Sequence, residues 1–298
     1  MTPWLSIGAG KSITSEVMGH AFLLRYHHGM TTTSRPVGDV LREWRQRRRM
    51  SQLDLACEAD ISTRHLSFME TGRSVPSREM VLHLAEQLQI PLRERNALLV
   101  AAGYAPVFPQ RALDDPALDA ARKAMEVVLK GHEPYPALAL DRHWNMVAAN
   151  SAVTPLLAGI DMALLQPPVN VLRLSLHPQG LAPRIGNYNE WRVHLFDRLR
   201  RQIDISADPV LVALLDELAA YPAPEGAWGR PHAAGADYAG VVVPFQLITD
   251  AGVLSFISTT TVFGTPIDVT LSELALETFF PADTATADSL RRLSGAGK

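Results

Sequence analysis

The stretch SQLDLACEADISTRHLSFMETGRSVPS, residues 51–77, decides how the first third of the chain folds. Two short helices are legible in it. Ser51 stands three positions before Asp54, a spacing at which a cap hydroxyl and an acidic side chain satisfy each other's backbone N–H groups, and Leu55, Ala56 and Ala59 follow as its inward face. Ser62 caps a second helix after Ile61; Leu66 and Met69 turn inward and Gly72 ends it. Only Ala59, Asp60 and Ile61 separate the two, too few for an open antiparallel hairpin, and the small Ala56 and Ala59 let the helices cross closely at a steep angle. Successive helix positions turn by about 100°, so Thr63, Arg64, Ser67, Phe68 and Thr71 share a face opposite Leu66 and Met69. The core does not need that face, and a partner from outside the chain is expected on it.

Working outward, the periodicity predicts five helices between Pro36 and Gly103. The first runs from Val37 to Arg48 with Val40, Leu41 and Trp44 as its stripe. After the two central helices, Ser77 caps PSREMVLHLAEQL, with Val81, Leu84, Ala85 and Leu88 inward, and LRERNALLVAAG makes the fifth. From Arg35 to Arg78 there are nine arginines against six acids, a local charge of +3 in a chain whose net charge is −3. Arg42, Arg45, Arg47, Arg48 and Arg49 crowd the end of the first helix. A basic run of this kind suits a solvated helix end, where cations complement the dipole, or a phosphate-binding surface beside a recognition motif.

The order of cap, Gln52, small residue, turn, cap and FMETG resembles the xenobiotic-response-element type of helix-turn-helix, the Cro and repressor class, across all five helices. The resemblance implies an all-α, lambda repressor-like domain over residues 35–104 that lays the helix beginning at Thr63 in the major groove of double-stranded DNA. Residue by residue, Gln52 matches a position that clamps the backbone and a neighbouring base reader. Thr63 and Arg64 match base readers: Arg64 can pair with the O6 and N7 of a guanine, and Thr63 or Phe68 can meet a thymine methyl. Ser67 is a weaker candidate. Thr71, Arg73 and the arginines ending the first helix fall to phosphates, which set register rather than sequence. One such domain reads few base pairs, so a homodimer on an inverted-repeat operator is expected. A helical bundle for protein contacts would explain the core but not the adjoining arginines.

The whole chain, at 298 residues, 47% hydrophobic and 20% charged, has room for about two domains of ordinary globular composition. Its single cysteine, Cys57, excludes an intramolecular disulfide and a multi-thiolate zinc site, and is expected as a small buried residue. No apolar run approaches the roughly 18 residues of a membrane helix. The first 30 residues lack the basic start and cleavage site of a secretory signal, which predicts a cytoplasmic protein with no membrane association. Residues 1–34 read as a flexible extension, and a chain beginning at Met30 is expected to fold and to keep its DNA affinity.

YAPVFPQRALDDP, with three prolines, marks a boundary. Asp115 then caps a helix that starts at Pro116 and runs to Lys130, with Leu118, Ala121, Met125, Val128 and Leu129 as its stripe; residues 105–131 are expected to be a linker and connecting helix, with the helix open to belonging to the second domain instead. ALALDRHWNMVAAN reads as a hairpin followed by a helix entered at Asn150 or Ser151. Helices are expected in VNVLRLSLHP, YNEWRVHLFDRLRRQ and DPVLVALLDELAAY. Strands are expected in GVVVPFQLI and GVLSFISTTTVFG around the turn TDAG, with LSELALETFF open to either form. Two strands, helices, then three antiparallel strands is a PAS-type order, an α+β fold over residues 132–285 with a flexible tail over 286–298.

The segments DRHWNMVAANSA, LRLSLHPQGLAPRIGNYNEW, DPVLVALLDELAAYP and LSFISTTTVFGTPIDVTLSELALETFFPAD resemble the ligand-binding domain of the MmyB-like transcription regulators. That resemblance implies a PAS-like sensor for an apolar small molecule, with a fatty acid or similar amphiphile as the leading occupant and no required cofactor. Tyr188 stands where the family commonly has Trp. Trp144, Trp191, Phe245 and Phe256 are candidate walls, with Tyr188 beside them and His177 or Arg192 as the polar anchor. The alternative is structural, His177 capping a helix and Trp191 filling the core. The histidines show no metal spacing, and no nucleophile elbow or phosphate loop is present, so neither a metal nor a catalytic residue is expected. A sequence-specific, ligand-responsive regulator is the favoured function. Its rival is a helix-turn-helix protein whose second domain only dimerises or binds another protein.

Overall fold

The computed structural model describes residues 35–225, 242–250, 252–264 and 268–294. The expectations for residues 1–34 therefore lie outside the described residues. The chain divides into two compact units after Pro109.

The first unit contains α1 (Val37–Arg47), α2 (Gln52–Glu58), α3 (Thr63–Glu70), α4 (Arg78–Gln87) and α5 (Leu92–Ala101). Its local signals act as hydrogen bonds. Ser51 Oγ accepts from Asp54 N at 3.1 Å while Ser51 N donates to Asp54 Oδ2 at 2.8 Å. Ser62 and Ser77 accept from His65 N and Met80 N. Leu41, Leu55, Leu66, Met69, Leu84 and Leu98 close the core. Against the sequence-based expectation, Cys57 is exposed: the buried stripe of α2 is Leu55 and Ala56, and the next position turns out of it. A Cβ on Gly38 would collide with the carbonyl oxygens of Met69 and Glu70, so glycine lets α1 cross the end of α3.

The basic run at the end of α1 is only partly a free surface. Arg45 is buried and forks onto the fully buried Glu70, with Nε at 2.6 Å from Oε1 and Nη2 at 2.9 Å from Oε2. Arg48 lies over the Trp44 ring and donates to the carbonyls of Leu88 and Gln89, while Arg47 pairs with Glu43. Arg45 and Arg48 thus hold the unit together, which corrects their expected assignment to phosphates.

The second unit is built on an antiparallel sheet of β1 (Ala137–Leu140), β2 (Met146–Ala149), β3 (Phe245–Thr249), β4 (Gly252–Val262) and β5 (Ala275–Pro281), in the order β2-β1-β5-β4-β3. One face is covered by α6 (Asp119–Gly131), whose Met125 and Leu129 pack with Ala137, Ala139 and Leu276. The helix left open as a connector or a part of the second domain therefore belongs to this unit, and the boundary near Pro109 falls inside the proline-rich stretch that marks it in the sequence. Side chains alternate across the strands, so Leu138, Phe256, Glu277 and Phe279 face the other way, toward α7 (Val171–Leu176), α8 (Tyr188–Ser206) and α9 (Pro209–Ala219).

Two further expectations are revised and one left open is resolved. After β2 the chain enters a 3₁₀ turn at Thr154–Leu157 rather than an α-helix; Asn150 is a buried clamp, accepting from Ala137 N and donating to the carbonyls of Leu129 and Tyr135. LSELALETFF holds both forms, the end of α10 (Val269–Ser272) and most of β5. The expected tail forms α11 (Thr284–Leu293), because Asp283 caps it and Leu290 is buried in the core.

Candidate functional site

In the first unit, α3 buries Leu66, Met69 and Glu70 and leaves Arg64 exposed, with Thr63, Ser67 and Phe68 half-buried beside it. Arg64 lies over the Phe68 ring at 5.3 Å, and Arg73, beyond the helix, approaches the same ring at 5.8 Å. Two cations flanking one aromatic ring are held near the face that presents Thr63 and Ser67. The Thr71 hydroxyl donates to the Ser67 carbonyl at 2.7 Å, so it is turned back along its own helix.

Gln52 lies at the start of α2, and its amide donates to Glu70 Oε2 at 2.8 Å. Glu70 consequently joins three elements: it takes Arg45 and Arg42 from α1 and Gln52 from α2, while Arg42 Nη2 also reaches its carbonyl. Burial alone would raise the pKa of Glu70, but the hydrogen bonds from Arg45 and Gln52 and the charges of Arg45 and Arg42 outweigh it and hold the carboxyl below the ordinary glutamate range. The sequence offers no local signal for this cluster, whose members lie 18 and 25 positions apart.

In the second unit a cavity of about 90 Å³ lies between the inner face of the sheet and the helices. Trp144, Trp191, Phe245 and Phe256 all line it. The aromatic wall is continuous: Trp191 to Phe245 is 4.9 Å between ring centres, Phe245 to Phe256 is 6.0 Å, and Phe256 to Phe279 is 6.1 Å. Leucines of α7 and α8 and Met146 complete an apolar lining.

The structure does not bring His177, Tyr188 or Arg192 to this lining. His177 ends α7 with its ring edge-on to Tyr221 at 5.0 Å and its Nδ1 accepting from Gln179 N. Arg192 donates to the Ala219 carbonyl at 3.0 Å and stacks on Phe196. Tyr188 is buried with its hydroxyl unpaired, and burial pushes its pKa up. The polar side chains on the lining are those of Ser175 and Glu277. Trp144 Nε1 donates to Gln202 at 2.7 Å, whereas Trp191 Nε1 is buried without an acceptor. Glu277 is held by Arg198 at 2.7 and 3.1 Å, a pair 79 positions apart. The alternation in LETFF was its only trace in the sequence, placing Glu277 and Phe279 on one face once β5 is a strand.

Among the described residues no cluster of His, Cys, Asp and Glu is suited to a metal, and no helix is long and apolar enough to cross a membrane. Residues 121–293 match the family described as MmyB-like transcription regulator ligand binding domain, and residues 36–98 match a helix-turn-helix domain. Over 116 residues the chain is 37% identical to the "Putative HTH-type transcriptional regulatory protein" of Methanoculleus marisnigri, a stretch covering 37% of this chain and 37% of that protein.

Proposed function

The chain belongs to the MmyB-like transcription regulators, being matched over more than half its length by their ligand-binding domain, and from that premise we propose that it is a sequence-specific DNA-binding regulator whose operator affinity responds to an apolar molecule held in the second unit. The observation that carries the ligand half is the apolar, aromatic-walled cavity. The strand order β2-β1-β5-β4-β3, with α7, α8 and α9 over the face that lines the cavity, supports a PAS-like sensor. The exposed face of α3 supports DNA recognition in a lambda repressor-like arrangement of five helices.

A fatty-acyl chain remains the expected body of the ligand, with a limit on size. A cavity of roughly 150 Å³ admits benzene, so about 90 Å³ must widen to take a long chain. Regulation also requires the ligand to prefer one of two states of the protein, because equal affinity for both shifts no population. The test is operator affinity of ligand-stripped protein with and without fatty acids of several chain lengths. A changed affinity is expected. Unchanged affinity at demonstrated occupancy would leave the second unit as a dimerisation module with a structural lipid.

On DNA, Arg64→Ala is expected to cost about 1–3 kcal/mol at the specific site and to relax the choice of one base pair, whereas Arg73→Ala weakens all sequences alike and flattens the salt dependence. Equal losses on specific and random DNA for Arg64→Ala would remove α3 as the base-reading helix. The protein is expected to bind as a homodimer, with half-sites roughly 34–36 Å apart or a multiple of that. One short asymmetric footprint at saturation would argue instead for a monomer.

A further inference from the structure

We propose that the outer face of α6 pairs antiparallel with the same helix of a second copy, so that the chain dimerises through its second unit. This rests on the homodimer expected on DNA and names its surface. Two independent observations carry it, an exposed apolar ridge and a set of unpaired charges along one flank of that ridge.

α6 buries Met125 and Leu129 and turns the opposite face to solvent. At about 100° per residue, Ala120, Ala124, Val127 and Gly131 share one narrow stripe on that face. Val127 is 72% exposed and Val128, beside it, 44%. Valine is a weaker helix former than the alanines around it, so two in succession at open positions give the helix no propensity and the core little burial. One turn beyond Val128, His132 meets Phe280 edge-on at 4.7 Å, and Phe280, 43% exposed, carries the apolar surface onto β5.

Lys123, Glu126 and Lys130 are exposed on one flank of the stripe, and their side chains form no ion pair or hydrogen bond with the described residues. Asp119, held by Arg122, lies on the same flank. In an antiparallel pair related by a two-fold axis, matching flanks face each other. With the axis passing between Ala124 and Met125, Lys123 lies level with Glu126 of the second copy, and Lys130 with Asp119 of the second copy. In that same register Val127 falls midway between Ala120 and Ala124 of the second copy, whose small side chains leave a hole for it. A parallel pair would instead turn each charged flank toward the Val128 flank of the other copy and leave the charges unmet. A helix of 13 residues is about 20 Å long. A strip of that length buries less than the roughly 800 Å² per partner of a lasting interface, so a reversible dimer in the micromolar range is expected.

The experiment is sedimentation of the full chain without DNA from about 1 to about 200 µM, where a monomer–dimer equilibrium is expected. Val127→Asp places a charge in the hole and should weaken the dimer at least about tenfold. Lys123→Glu sets like charges level with each other at both symmetry-related contacts and should weaken it about fivefold, more at low salt. Lys123→Glu combined with Glu126→Lys restores opposite charges and should recover the parent strength. All three positions are exposed, so these variants are expected to fold. In a Cys57→Ser background, Ala124→Cys should cross-link two copies under mild oxidation, because that position lies beside the axis. Weakening by Val127→Asp without recovery in the charge exchange would overturn the antiparallel register. A dimer that none of the variants weakens and that Ala124→Cys does not cross-link would overturn α6 as the surface, and so would a chain that stays monomeric throughout. The homodimer on DNA falls separately, by a single short asymmetric footprint.

Discussion

Glu70→Ala is expected to destabilise the first unit by about 3–5 kcal/mol, because it leaves Arg45 buried without its counter-charge and strands the Gln52 amide. A loss of that size is a large share of the 5–15 kcal/mol that holds an ordinary domain together. Urea unfolding of the full chain should show it. The cost lies in breaking the pair, not in lacking one: Arg45→Met combined with Glu70→Leu removes both charges and should recover most of the loss. If Glu70→Ala unfolds at the same urea concentration as the parent, Glu70 has no structural role.

The same contact sets a pH dependence. The pKa of Glu70 is lowered in the folded chain, so its contribution to stability is complete above the ordinary glutamate range and is lost as pH falls through its folded value. Acid titration of stability should therefore be shallower in Glu70→Gln than in the parent. Equal slopes would remove Glu70 as the source.

Phe256→Ala should cost the second unit about 3–5 kcal/mol, the range for truncating a fully buried aromatic ring. Phe256 packs against both Phe245 and Phe279 on the cavity wall, so the deletion also enlarges the cavity. An apolar molecule that fills the space should recover part of the loss in proportion to its occupancy. Melting temperature measured with and without a saturating apolar probe checks this. A variant that is destabilised but not rescued by any probe would mean that the wall collapses into the gap.

What was legible in the sequence follows from the range of the interactions. Caps act over three residues and apolar stripes over one or two turns, so Ser51, Ser62 and Ser77 and the helices they start could be placed from neighbours alone. Trp144, Trp191, Phe245 and Phe256 were legible as candidate walls because large rings in a small domain must be buried somewhere, and the fold puts them around one space. The polar anchor was misplaced for the complementary reason. His177 and Arg192 stand close in sequence to the aromatic segment, but a short helix ending at Leu176 and the register of α8 direct them to Tyr221 and Ala219.

The sequence by itself determined the caps, the helix-turn-helix spacing, the two-unit organisation and the aromatic content of the second domain, all of which depend on neighbours along the chain. Only the tertiary structure decided that Arg45 serves Glu70 instead of a phosphate, that residues 284–293 pack as a helix, and that Glu277 and Ser175 give the cavity its polar character. The physical reason is that a charge or an N–H group takes its meaning from what surrounds it once water is excluded, and strands brought together from distant positions create those surroundings.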